Sequence, residues 1–409
     1  MTINGRWKIP AALWLCLALS FIFYKGVLPG WSDTSTDFNN YYSSAVLWLE
    51  GGSIHDFYDN DHFATQSKNL GIESGAKFAP FPPPSVILYA PLVFWNLLTA
   101  KRIWLVINLT LLILLPFRLR HYFNASAFFS ALILSVFFVP LASNLHFGQF
   151  YLIGTFLLIE AVGLSQFSPR SKWPGIVIGI LATVKYLPLL LTLYLFRPIE
   201  KKWRPILIVS LTIMIITCTF LLLDPAAYQS YFHSFSDHLN GELDGQGKFA
   251  VGFQSLDALL NLLFVFDAVE NPSPIFHMPI LKPILKTGFT LTVILSCFWL
   301  FKKENYRLNA TSISIFIIGS FLIIPASASY HFLFLLLPIF LITRWLVQQE
   351  MIHVILVNIL SLAAFSVQHH HMPDISSSRL INLVIHFPRL WFIMALFGYL
   401  LTIRIKSHG

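Results

Sequence analysis

Charge is what this chain has least of. Asp, Glu, Lys and Arg together make up 11% of its 409 residues, against about 25% in an ordinary soluble domain, while 56% are hydrophobic. That balance excludes a water-soluble fold of this size. Cysteine is nearly absent: Cys16, Cys218 and Cys297 stand far apart, each inside an apolar run, which excludes both a disulfide framework and a thiolate metal site. Alternating strand patterns are missing. So are a phosphate-cradling glycine loop, a nucleophile elbow and a zinc-protease helix, which leaves soluble nucleotide chemistry unsupported. No small-x-small cleavage site follows the first apolar stretch, where Phe21, Phe23 and Tyr24 stand instead, so the N-terminal segment reads as an uncleaved span.

What the chain has in abundance is apolar runs of membrane-spanning length. Lipid offers no partner to an unpaired backbone group, so such runs must be helices, and the expected fold is an all-α, polytopic transmembrane helical bundle. Hydropathy and charge place about twelve spans, near 10–29, 84–99, 102–117, 125–143, 150–167, 174–196, 205–223, 281–301, 309–325, 331–347, 351–367 and 386–403. Residues 1–409 form one membrane-embedded domain, with a first outer loop over 31–83 and a second over 224–257; a third polar stretch covers 368–379. The net charge of +8 falls in short Lys/Arg clusters between spans, so it reports orientation and not a nucleic-acid partner. The second half obeys the positive-inside rule. In the first half, strict alternation puts Arg118/Arg120 and Arg170/Lys172 outside. Either a segment there is re-entrant or one span is misassigned, which leaves the side of His146-Phe147-Gly148-Gln149 open.

The first loop carries seven of the nineteen acidic residues: Asp33, Asp37, Glu50, Asp56, Asp59, Asp61 and Glu73. Phe38, Tyr41, Tyr42, Ala45, Val46 and Leu49 recur at helical spacing, predicting an interfacial helix that Ser35-Thr36-Asp37 opens and Gly51-Gly52 closes. A shorter helix is expected from Asn60 to Leu70. Asp37 has two readings on pattern alone: a general base at headgroup height, or an N-cap satisfying free backbone N–H groups. The cluster from His55 to His62 offers metal-type ligands, but helix caps explain it as cheaply. Lys185 interrupts an apolar stretch, where an ammonium either binds an anion such as a lipid phosphate or snorkels. Lys25 is a more ordinary snorkeller. His331 sits at a span boundary, where an imidazole either donates to a phosphate or sugar hydroxyl or is merely solvated. His369-His370-His371 reads as an exposed loop.

Several ordered segments extend this reading. They are Asp37-Phe38-x-x-Tyr41-Tyr42-x-x-Ala45, Gly51 to Tyr58-Asp59, Phe81-Pro82-Pro83, Pro91-Leu92, Gly148-Gln149, Gly179 to Lys185 with Pro188, Gln254-Ser255-Leu256, and Pro325 to His331 with Pro338. Together they resemble glycosyltransferase family 87, multi-span transferases of the GT-C superfamily that use polyprenyl-phosphate sugars. The resemblance implies that Asp37 is the catalytic base of an inverting hexosyl transfer, mannose being the commonest sugar. It also implies that no cofactor or metal is needed. Lys185 and His331 would hold the donor phosphate, with Lys25 and Lys77 as lesser candidates, while Tyr41, Tyr42, Gln149 and Gln254 would bind substrate. The implied partners are a polyprenyl-phosphate sugar donor, a glycolipid or glycan acceptor and membrane lipids. The implied location is the cell membrane, with the active site facing the outside or periplasm. The competing reading is a non-enzymatic transporter or flippase of a lipid-linked sugar, which predicts polar residues scattered through mid-membrane helices and inverted repeats.

Overall fold

The computed structural model describes residues 5–72, 76–168, 171–185, 204–242, 247–303, 309–348, 351–367 and 374–406. Tyr186, Pro188, the second half of the expected 174–196 span and the His369-His370-His371 tract lie outside the described residues. Among those described the chain is helical and contains no strand, only an isolated bridge between Asp267 and Asn271. It is an all-α bundle with the long apolar helices of a polytopic membrane protein.

We number the principal helices in chain order. They are α1 (Gly5–Ile22), α2 (Phe38–Leu49), α3 (Asn60–Asn69), α4 (Leu97–Phe123), α5 (Ala127–Ser135), α6 (Phe138–Phe147), α7 (Tyr151–Phe167), α8 (Trp173–Val184), α9 (Arg204–Leu223), α10 (Pro225–Asn240), α11 (Leu256–Phe264), α12 (Leu281–Lys303), α13 (Ala310–Ile323), α14 (Leu336–Val347), α15 (Met351–Ser366), α16 (Arg379–His386) and α17 (Pro388–Lys406). The first span continues past α1 through a π-helical turn to Ser32. Among the described residues six stretches are individually long and apolar enough to cross a membrane, and α5 with α6, bent by 75°, is either a broken seventh span or a re-entrant loop. Shorter apolar helices, α7, α8, α13 and α15, pack among them.

One expected span is absent. Residues 84–99 do not form a continuous helix; they fold as the turns Pro83–Ser85, Val86–Tyr89 and Ala90–Leu92 before α4 starts at Leu97. Hydropathy alone passes this stretch, but Pro82, Pro83, Pro84 and Pro91 deny it the N–H donors a helix needs. Asn96 then caps α4 by accepting from the Thr99 N–H at 3.0 Å.

Helix directions define two ends of the bundle. At one end, Lys101 and Arg102 near the start of α4 donate to the carbonyls of Asp33 and Trp31. A helix of this length runs about 40 Å, so Arg118 and Arg120 lie at the other end. There Arg118 forks onto Glu160 of α7 at 2.5 and 2.6 Å, with Tyr122 donating to the same carboxylate at 2.8 Å. Gly163 admits the Tyr122 ring, since a Cβ there would meet it at 2.3 Å. The first loop folds back over its own end: Asp224 at the start of α10 accepts from Ser53 Oγ at 2.8 Å and from His55 N–H at 3.0 Å.

Candidate active site

The predicted interfacial helix is α2, and its Phe38, Tyr41, Tyr42 and Ala45 face is buried against the bundle. Asp37 occupies the N-cap position, yet its carboxylate makes no capping hydrogen bond. Asp59, the N-cap of α3, behaves in the ordinary way and accepts from the backbone N–H groups of Asp61 and His62, both at 3.0 Å. Asp37 instead reaches away from its helix. Its Oδ2 accepts from Gln149 Nε2 at 2.6 Å and from the Tyr330 hydroxyl at 3.1 Å.

Gln149 is fixed by the junction of α6 and α7. Gly148 ends α6 with a φ of +67°, a conformation that favours glycine, and a Cβ there would stand 2.8 Å from that of Phe38. Gln149 N–H donates to Asn144 O at 3.0 Å, and the Asn144 side chain bonds Leu152 N–H and Asn108 in turn. The hydroxyl of Tyr41 donates to Gln149 Oε1 at 2.8 Å, which leaves the amide one orientation, NH2 toward Asp37.

Aromatic rings wall the site. Tyr41 lies between Tyr89 and Phe81, with centroids 4.5 and 4.7 Å away. Lys185, just past the end of α8, sets its Nζ 3.8 Å above the Phe81 ring and 5.8 Å from that of Tyr151. Tyr151 also packs on Tyr330 at 5.3 Å and on His331 at 4.4 Å. His331 Nδ1 accepts from Ala328 N–H at 3.2 Å, so the ring proton sits on Nε2, and the ring also hydrogen-bonds the backbone of Ala326. Lys185 is within electrostatic reach of both Asp37 and His331, and His238 of α10 is within reach of His331.

The site divides by exposure. Tyr41, Gln149, Tyr151 and Tyr89 are buried, whereas Asp37, Lys185, Phe81, Tyr330 and His331 are partly exposed. Burial pushes the Asp37 carboxyl above its ordinary value, against the pull of the Tyr330 and Gln149 hydrogen bonds and the Lys185 charge. Beside it, Asp33 pairs with His146 at 2.9 Å. Burial works against its ionisation, yet the hydrogen bonds from His146 and Ser35 N–H and the charge of Lys101 hold its carboxyl below the ordinary range.

Asp37, Tyr41, Gln149, Lys185 and His331 therefore come together, although Tyr41 and Gln149 are turned toward each other and Asp37. Tyr42 is not joined to them; its hydroxyl donates to Trp95 O at 2.7 Å. Gln254 is bonded elsewhere too, donating to the carbonyls of Val251 and His386 and accepting from Arg389 N–H. Lys25 is exposed on the first span, and Lys77 is held through its backbone N–H by Asn40 at 3.0 Å. Sequence reasoning missed Tyr330, Tyr151, His146 and His238. Only Tyr330 had a signal, its place beside His331 at a span boundary.

Residues 78–325, more than half of the chain, match the family model for glycosyltransferase family 87. That stretch holds Gln149, Tyr151 and Lys185, while Asp37, Tyr330 and His331 flank it and meet it in space. No curated protein and no solved structure matches the chain. With its apolar helical bundle and this match, the chain belongs to glycosyltransferase family 87 and is a membrane glycosyltransferase.

Proposed function

We propose that this protein moves a hexose, mannose being the expected one, from a polyprenyl-phosphate sugar to a hydroxyl of a glycolipid or glycan acceptor, with Asp37 as the base. The observation that carries this reading is that the Asp37 carboxylate leaves its helix uncapped and is held by Gln149 and Tyr330 within electrostatic reach of Lys185, which is itself within reach of His331. Asp37 takes the acceptor proton, the acceptor oxygen attacks the anomeric carbon with inversion, and the bond from that carbon to the phosphate oxygen breaks. The departing phosphate is already anionic, so it needs cations and donors, not a protonating acid; Lys185 Nζ and His331 Nε2–H supply them. One carboxylate suffices.

Charge supports an outer-face site. With residues 84–96 in short turns, the chain from Asp33 to Asn96 stays on one side of the membrane. Arg118/Arg120, Arg170/Lys172, Lys302/Lys303 and Arg404/Lys406 then belong to the opposite side, where the positive-inside rule wants them. Lys101 and Arg102 stay at the Asp37 end, neutralised in part by the carbonyls at the end of the first span.

The test uses purified protein in lipid with radiolabelled polyprenyl-phosphate mannose and a crude lipid-glycan acceptor pool. Transfer by wild type and its loss in Asp37→Asn are expected. Normal transfer by Asp37→Asn removes Asp37 as the base, and no product with any polyprenyl-phosphate sugar favours a transporter.

A further inference from the structure

Both hydrogen bonds to Asp37 land on the same atom. Gln149 Nε2 and the Tyr330 hydroxyl donate to Oδ2, and among the described residues no donor reaches Oδ1. A carboxylate oxygen with two donors on it is a poor proton acceptor, because its lone pairs are engaged and its charge is spread into those bonds. The bare oxygen is the more basic of the two. We infer that Asp37 works through Oδ1 alone, and that Gln149 and Tyr330 are positioning residues that engage Oδ2 and fix the rotation of the carboxylate. This rests on the reading of Asp37 as the base.

Each clamp arm is itself held. Tyr41 donates to Gln149 Oε1, so the Gln149 amide cannot flip without setting an acceptor against the carboxylate. Tyr330 is held through its ring on Tyr151 and through its neighbour Ser329, whose Oγ accepts from Arg389 Nη1 at 2.7 Å. Arg389 is wholly buried and spends its other donors on the Ala364 and Val367 carbonyls at the end of α15. Among the described residues no carboxylate pairs with it. A buried guanidinium anchored only to carbonyls and one hydroxyl is an expensive way to hold a turn, and the turn it holds, Ser329–Leu335, carries Tyr330. Gln254 accepts from Arg389 N–H and so joins this anchor.

In the transfer step the acceptor O–H bond breaks and its proton goes to Oδ1, while the oxygen's electron pair forms the new glycosidic bond. The electrons of the old bond leave with the phosphate. The clamp contributes by keeping Oδ1 aimed at the acceptor and by keeping Asp37 ionised. Facing Asp37 are Tyr41 on its own helix, Gln149 and His146 from the α6–α7 junction, Lys185 from the end of α8 and Tyr330 from the turn before α14. Lys101 of α4 and the Tyr89 hydroxyl are also within its electrostatic reach, and a hydroxyl deletion at Tyr330 leaves Lys185, Lys101 and His146 in place.

The test is the pH dependence of kcat and KM in Tyr330→Phe, which keeps the ring stacked on Tyr151. Losing one donor to a charged group should move the acid limb of the kcat profile up by about one pH unit, with kcat down roughly tenfold at low pH and less at high pH. Donor KM should change little. Tyr41→Phe, which only frees the Gln149 amide, should move the limb the same way by less, and the double variant should shift it less than the two singles added. An acid limb that stays put in Tyr330→Phe, whether kcat falls or not, overturns the clamp. If Asp37→Asn is also fully active the base reading has failed with it; if Asp37→Asn is dead, only the clamp has failed.

Discussion

Asp37→Asn separates a catalytic carboxylate from a structural one, because the two roles move activity and stability in opposite directions. The amide keeps the size of the side chain, and its oxygen can go on accepting from Gln149 and Tyr330. What it loses is the ability to take a proton, so transfer should fall by roughly 10²–10⁴. Stability should rise. Burial raises the folded-state carboxyl above its ordinary 3.8, so the fold prefers the protonated form, and ionisation at neutral pH works against folding. Below 3.8 the group is protonated in both states and the wild type carries no such cost; above the raised folded value the cost is fully present. Asp37→Asn should therefore melt higher than wild type at pH 7 in the same detergent, and the gap should close as pH falls through the carboxyl range. A lower melting temperature at pH 7, or active protein, would refute the reasoning.

Three other variants follow from the same geometry. Asp59→Ala removes a carboxylate that does cap its helix, so it should destabilise by about 1 kcal/mol in a denaturation experiment while transfer stays intact. Lys185→Met keeps bulk over Phe81 but removes the cation that the proposed mechanism sets against the departing phosphate; kcat/KM for the donor should drop by roughly 10²–10³, with Lys185→Arg recovering part of it. Gly148→Ala forces a side chain into a φ of +67° and against Phe38, so it should destabilise by about 1–3 kcal/mol and lose activity together with the placement of Gln149, read by thermal melting and transfer assay on one preparation.

Much of the fold is legible in the sequence where local rules act alone. The spacing of Phe38, Tyr41, Tyr42, Ala45, Val46 and Leu49 predicts α2, whose first four stripe residues are buried and Val46 partly so, while Leu49 at its far end is exposed; the expected helix at Asn60–Leu70 is α3, one residue shorter. Most long apolar runs are helices within a few residues of where hydropathy sets them. The failure at 84–99 is instructive because hydropathy measures transfer to lipid and says nothing of hydrogen bonding; four prolines between Pro82 and Pro91 carried the opposite message. The misplaced basic clusters were the second warning. Removing one span from that region reverses the side of every following loop up to α8, which is where Arg118/Arg120 and Arg170/Lys172 had conflicted with the charge rule.

The site was legible in its residue types and not in its wiring. Asp37, Lys185 and His331 stand out because each is a polar group in surroundings that penalise it, a property a sequence displays directly. Who bonds to whom is set by contacts across long separations: Gln149 lies 112 residues from Asp37, and Tyr330 lies 293. No periodicity reports such a pairing, so Gln149 reads as a substrate ligand with no hint that its side chain bonds Asp37 and Tyr41, and Tyr330 is marked only by its place beside His331. The same limit explains why Asp37 and Asp59 look alike. Each is an aspartate one residue before a helix, and local rules make both of them caps. Only tertiary structure distinguishes them, because a carboxylate with two better donors across the bundle abandons its own helix, and the helix tolerates this where Thr36 O and Asp37 O already accept the N–H groups of Asn39 and Asn40. A missing cap at a helix start otherwise built for one is thus a positive mark of function, since the fold forgoes a local bond in order to aim the carboxylate elsewhere.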